Sequence, residues 1–77
     1  MFIEIPQGEG SFLYVNVDNI NEFRLEKDTL VFFFKDDSTD TINFKSPELA
    51  ELAINGIVNC AGKVYSIDEE DLDEEYN

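Results

Sequence analysis

The side chains best equipped for chemistry in this sequence are carboxylates, and they crowd into one short loop at Asp36, Asp37 and Asp40. Oxygen donors that close together are what a calcium ion takes as ligands. An EF-hand loop, however, needs the D-x-D-x-D-G spacing and a distal glutamate, and Asp36-Asp37-Ser38-Thr39-Asp40 has neither. The stretch reads as a solvated turn, whose aspartate and serine side chains bond the backbone nearby. Gly8 and Gly10 form a G-x-G without a third glycine or a following helix, so Gln7-Gly8-Glu9-Gly10 reads as a loop and not a phosphate cradle. Cys60 is the single cysteine and histidine is absent, which removes Cys/His zinc sites and the usual activator of a thiol or hydroxyl. Cys60 reads as a small apolar side chain buried in a helix. No nucleophile stands in a recognisable motif. The expectation is a protein that is not an enzyme, with no cofactor and no metal.

Eighteen acidic residues against Arg24, Lys27, Lys35, Lys45 and Lys63 leave a net charge of −13. Affinity for nucleic acid or anionic membranes comes from basic side chains that neutralise phosphates, so neither is expected as a direct partner. No stretch approaches the roughly 18 apolar residues of a membrane span, and Met1-Phe2-Ile3-Glu4-Ile5-Pro6 lacks the basic region and apolar run of a signal peptide. A cytoplasmic location is expected. From Asp68 to Asn77, seven of ten residues are acidic, so residues 68–77 are expected to form a disordered, solvating tail beyond a single domain at 1–67. A sharper reading docks that tail on a basic protein through Leu72 and Tyr76, with the carboxylates supplying long-range attraction.

The elements that must position these groups are organised around Leu30-Val31-Phe32-Phe33-Phe34. Five consecutive apolar residues rich in aromatic and β-branched side chains fit a strand buried on both faces, with Leu30, Phe32 and Phe34 on one side and Val31 and Phe33 on the other. Phe2 to Ile5 reads as a short strand ended by Pro6, Ser11 to Val17 as a second strand, and Ile20 to Glu26 as a third with one wet face. Lys27-Asp28 makes a tight hairpin, and Thr41 to Lys45 forms a fifth strand with Ile42 and Phe44 inward. Ser46-Pro47-Glu48 is a helix start: a serine N-cap, proline at the first position and an acid at the positive end of the dipole. The helix runs to about Ala61 with Leu49, Leu52, Ala53, Ile57 and Cys60 on its apolar stripe, and Gly62 stops it. Gly56 within it costs about 1 kcal/mol relative to alanine, so it either allows close approach to the sheet or marks a break. Val64 to Ile67 adds a last short strand. The fold class is α+β: an antiparallel β-meander of four to five strands with one C-terminal helix packed on one face.

A 77-residue domain buries only about 60% of the surface its unfolded chain exposes, and with disulfides and metals absent, self-association is the remaining support. One helix covers one sheet face. Phe12, Tyr14, Val31 and Phe33 are therefore candidate partner-binding residues on the opposite face, for a protein partner or a second copy, making a homo-oligomer. The alternative function is an acidic mimic of nucleic acid, of the kind phage-encoded inhibitors use, that occupies the basic groove of a partner. Tyr14-Val15-Asn16 then Ile20, the Leu30-Val31-Phe32 strand, the Asp36-Asp37 turn, and Phe44-Lys45-Ser46-Pro47-Glu48 opening a helix together resemble the small bacterial FlbD-type proteins of flagellar operons, over residues 12–50. The resemblance implies a cytoplasmic bacterial interaction protein in the context of motility, with no catalytic residues to carry over.

Overall fold

The computed structural model describes residues 1–73. It is mixed α+β, with strands β1 (Phe2–Gly8), β2 (Ser11–Asn16), β3 (Ile20–Glu26), β4 (Thr29–Phe34) and β5 (Thr39–Asn43), helix α1 (Pro47–Asn59) and strand β6 (Val64–Ser66). The strands form two three-stranded sheets and not one meander: β2-β1-β6 and β3-β4-β5. The split happens at Val17–Asn19, a single 3-10 turn in which the Asn16 side chain accepts the Asp18 N–H at 3.0 Å. That local bond turns the chain before β3 can pair with β2.

β1 runs antiparallel to β2 and parallel to β6. Contrary to the sequence expectation, Pro6 lies inside β1. Phe2 donates to the Lys63 carbonyl and Ile67 donates to the Glu4 carbonyl, so the even residues of β1 address β6. Pro6 follows the last residue of β1 that pairs with β6, and its missing N–H breaks no ladder bond. The hairpin that follows carries positive φ at Gly8, Glu9 and Gly10. β5 begins two residues earlier than expected, and Phe44 lies just beyond it.

One core is shared by both sheets and the helix. Ile3, Ile5 and Val15 from the first sheet meet Leu30, Phe32 and Ile42 from the second and Phe44 just past it, under Ala50, Ala53 and Ile57 of the helix. Phe32 is fully buried, with Phe23 edge-on at 5.4 Å between ring centroids. The helix starts as expected: Ser46 Oγ accepts the Leu49 N–H at 3.3 Å and Pro47 occupies the first turn. Its stripe is rotated from the expected one. Leu52 is exposed and Ala50 is buried, because small side chains let the helix lie close to the sheets. The helix ends at Asn59 and Cys60 caps it in an extended conformation, half-buried, so neither a glycine stop nor a buried helical cysteine is formed. Gly56 resolves toward close approach: a Cβ there would lie 2.5 Å from Cε1 and Cζ of Tyr65, on β6.

The acidic C-terminal segment does not leave the body at Asp68. Ile67 is buried, Glu69–Asp71 forms a 3-10 turn, and Leu72 makes an antiparallel bridge with Phe44. The Lys45 N–H donates to Asp71 O and the Asp73 N–H to Asn43 O. Composition pointed to disorder here, but Leu72 supplies an apolar anchor and the edge of β5 supplies backbone partners. Among the described residues no helix is long and apolar enough to cross a membrane.

Candidate functional site

The partner-binding residues expected from sequence fall on two different surfaces. Val31 and Phe33 point outward from the second sheet, opposite the core face carried by Leu30 and Phe32. Both are half-buried, and the cover comes from the chain itself. Arg24 stands directly across from Val31 and lays its guanidinium 4.8 Å from the Phe33 ring centroid. Glu22 and Glu26 hold that guanidinium at 3.3 and 3.8 Å. A planar, delocalised cation on an aromatic face is worth about 0.5–1 kcal/mol at an exposed site. Strand β4 has its second roof, and Val31 and Phe33 are poorly placed to meet a partner.

Phe12 and Tyr14 lie instead on the outer face of the first sheet. Cross-strand register puts Glu4 opposite Tyr14, Pro6 opposite Phe12, and Phe2 between Asn16 and Val64. Phe2 is 42% exposed, Phe12 50%, Tyr14 53% and Val64 46%. Among the described residues no cation lies over a ring of this face as Arg24 lies over Phe33. Glu4 touches only the rim: the Tyr14 hydroxyl donates to Glu4 Oε2 at 2.6 Å. That hydrogen bond, with some desolvation and the negative charge of Glu4, raises the Tyr14 phenol above the ordinary tyrosine pKa. The ring face of Tyr14 stays open.

Beside this face lies an open cleft of about 480 Å³ between β2 and the turn joining β4 to β5. Leu13, Val15 and Asn16 form one wall, and Phe34, Lys35, Asp36 and Asp40 the other. The aspartates of the turn are engaged locally. Asp36 Oδ1 accepts both the N–H and the hydroxyl of Ser38, bonds that hold its carboxyl below the ordinary aspartate pKa, and Asp40 Oδ1 accepts the Thr41 N–H at 2.9 Å. Among the described residues no three His, Cys, Asp or Glu side chains come together where a metal ion could sit.

Leu72 is spent on the bridge to Phe44, and Tyr76 lies outside the described residues. Sequence reasoning missed Phe2 and Val64. The signal for Phe2 was present, since Phe2 and Glu4 alternate with the buried Ile3 and Ile5, but which strands flank β1 could not be read locally. Comparison with known proteins finds no matching family model, no matching curated protein and no matching solved structure. The likeness of residues 12–50 to FlbD-type proteins stands on the sequence pattern alone.

Proposed function

We propose that this chain is a non-enzymatic protein-interaction module that meets a basic protein partner through the outer face of its first sheet. The observation that carries the reading is the cluster of Phe2, Phe12, Tyr14 and Val64 on one face, each more than two-fifths exposed. Aromatic side chains clustered in the open, beside Glu4 and on a chain of net charge −13, make a surface whose burial releases water and whose charge selects the partner. A basic partner is favoured over a second copy because each copy carries −13.

The test is light scattering across a concentration series, with a pull-down from cells compared between wild type and the double variant Phe2→Ser, Phe12→Ser. The reading expects a monomer alone and a captured basic protein that the double variant loses. A concentration-dependent dimer abolished by the same substitutions makes the occupant a second copy. Capture unaffected by them removes the face from the argument.

A second reading, mimicry of nucleic acid, is favoured by the described carboxylates all lying outside the core, where a basic groove can reach them. It expects binding to a basic groove that weakens steeply with salt and ignores the Phe2 and Phe12 substitutions.

A further inference from the structure

The two sheets present four edges, and three of them are closed or blunted. β6 is three residues long. β3 carries Glu22, Arg24 and Glu26 and a register shift between Ile20 and Glu22. The end of β5 is taken by residues 71–73 through the Asn43, Phe44 and Lys45 backbone. Short length, charge, bulges and a covering segment are the means by which proteins keep strand edges from pairing with other chains. β2 has none of them: Ser11–Asn16 is six residues without a charge, the one register shift in its ladder lies on the β1 side between Pro6 and Gly8, and it borders the open cleft.

The orientation of its backbone follows from one bond. Val17 N–H donates to Met1 O at 2.9 Å. Hydrogen-bonded and non-bonded pairs alternate along an antiparallel ladder, so Val15 and Leu13 address β1, while the N–H and C=O groups of Phe12, Tyr14 and Asn16 point away from it. We infer that this edge accepts an extended segment of a basic partner as an added strand, alternate side chains of which enter the cleft. The inference rests on the interaction-module reading and adds to it the partner's conformation and sequence chemistry.

Side-chain alternation in the added strand defines what fits. Side chains on the cleft side meet Leu13 and Phe34 among the polar Asn16, Asn19 and Ser38, so a short apolar side chain such as valine fits beside the apolar members. Those on the outer side lie alongside Phe12 and Tyr14, where an arginine stacks on a ring and extends across it toward Glu4 on β1. The far wall adds Asp36 and Asp40 against a single cation, Lys35. Six residues of β2 span about 20 Å, so the segment needs about six residues of alternating apolar and basic character. A second copy of β2 brings no basic residue to this site.

The full chain, labelled with nitrogen-15, is titrated with a capped peptide of alternating arginine and valine, the same peptide N-methylated at alternate bonds, and an alternating glutamate and valine peptide. The expected result is that the first peptide binds and slows hydrogen exchange at Phe12, Tyr14 and Asn16 by about tenfold or more, while N-methylation, which spares charge and removes donors, weakens binding by about tenfold. The acidic peptide does not bind. Tyr14→Pro removes an outward N–H without breaking the β1 ladder and is expected to weaken the first peptide similarly; the N-methylated peptide tests the same bond on wild-type protein should that variant not fold. Equal binding of the N-methylated and parent peptides overturns strand addition, and so does the absence of binding at millimolar peptide. Shifts confined to Phe2 and Val64 also overturn it, while leaving the reading of the outer face standing.

Discussion

Phe33 on the second sheet and Tyr14 on the first are both aromatic residues on the outward side of a strand, each with a glutamate directly across, Glu22 and Glu4, and they differ in what lies diagonal to them. Beside Phe33 is Arg24, whose long flat side chain lies over the ring while Glu22 and Glu26 hold its charge. Opposite Tyr14 is Glu4, which reaches the hydroxyl and leaves the ring uncovered. A guanidinium stem buries apolar surface and keeps its head wet; a carboxylate on a short stem can only accept a hydrogen bond at the edge. The diagonal cross-strand neighbour, and not the residue directly opposite, therefore decides whether an outward aromatic is covered by its own fold.

The largest effect that tests this contrast compares the two sides of β4. Phe32→Ala is expected to cost about 3–5 kcal/mol, most or all of the stability of so small a domain, whereas Phe33→Ala costs about 1 kcal/mol. Urea melts of both variants measure it, and equal costs would mean that the outer face is as much a core as the inner one. Next comes the closure of the first sheet by the helix. Gly56→Ala gains helix propensity of about 1 kcal/mol yet is expected to destabilise by about 1–3 kcal/mol net, because the new methyl overlaps the Tyr65 ring. Adding Tyr65→Leu should recover most of that loss in the double variant; additive costs would disconnect the two residues.

Arg24→Ala is a smaller change in stability, about 1 kcal/mol or less, but it should convert the second outer face into a copy of the first. Increased binding of a hydrophobic dye, absent in Arg24→Lys to the extent that the lysine stem still covers Phe33, is the readout. The smallest effect is a pH dependence at Tyr14. Its phenol is raised in the folded state, so the contribution of the bond to Glu4 is fully present below the unfolded tyrosine pKa of about 10 and is lost as pH rises through the higher folded value. Tyrosinate absorbance, taken as the difference from Tyr14→Phe, should titrate at lower pH in Glu4→Gln. No change would mean that the hydroxyl is free in solution.

Much of the fold was legible because its signals are local. Ser46-Pro47-Glu48 placed the helix start through side-chain and dipole chemistry that acts within one turn, and Lys27-Asp28 placed a hairpin between two alternating segments. Ile42 and Phe44 were placed inward by period-2 alternation, and both are buried. The failures share one feature, a partner distant in sequence. Pro6 stays within β1 because of where β6 ends, Leu52 is exposed because the sheets select Ala50 and Ala53, and residues 71–73 lie against the body because Phe44 offers Leu72 a place. The candidate surface shows the same dependence: Phe12 and Tyr14 share an exposed face with Phe2 and Val64, which local sequence did not bring to them, whereas Val31 and Phe33 lie on a different sheet.

Residue order alone determined which segments extend, which one coils, where the turns come and that the surface is strongly negative, since each follows from side-chain shape, capping or charge within a few positions. Tertiary structure decided that the strands form two sheets, that Arg24 covers Phe33 while Phe12 and Tyr14 stay exposed, and that among the described residues β2 alone keeps an uncharged edge of full length. Those outcomes depend on which strands lie side by side, and pairing between distant segments is chosen by the packing of the whole core, which no short window of sequence contains.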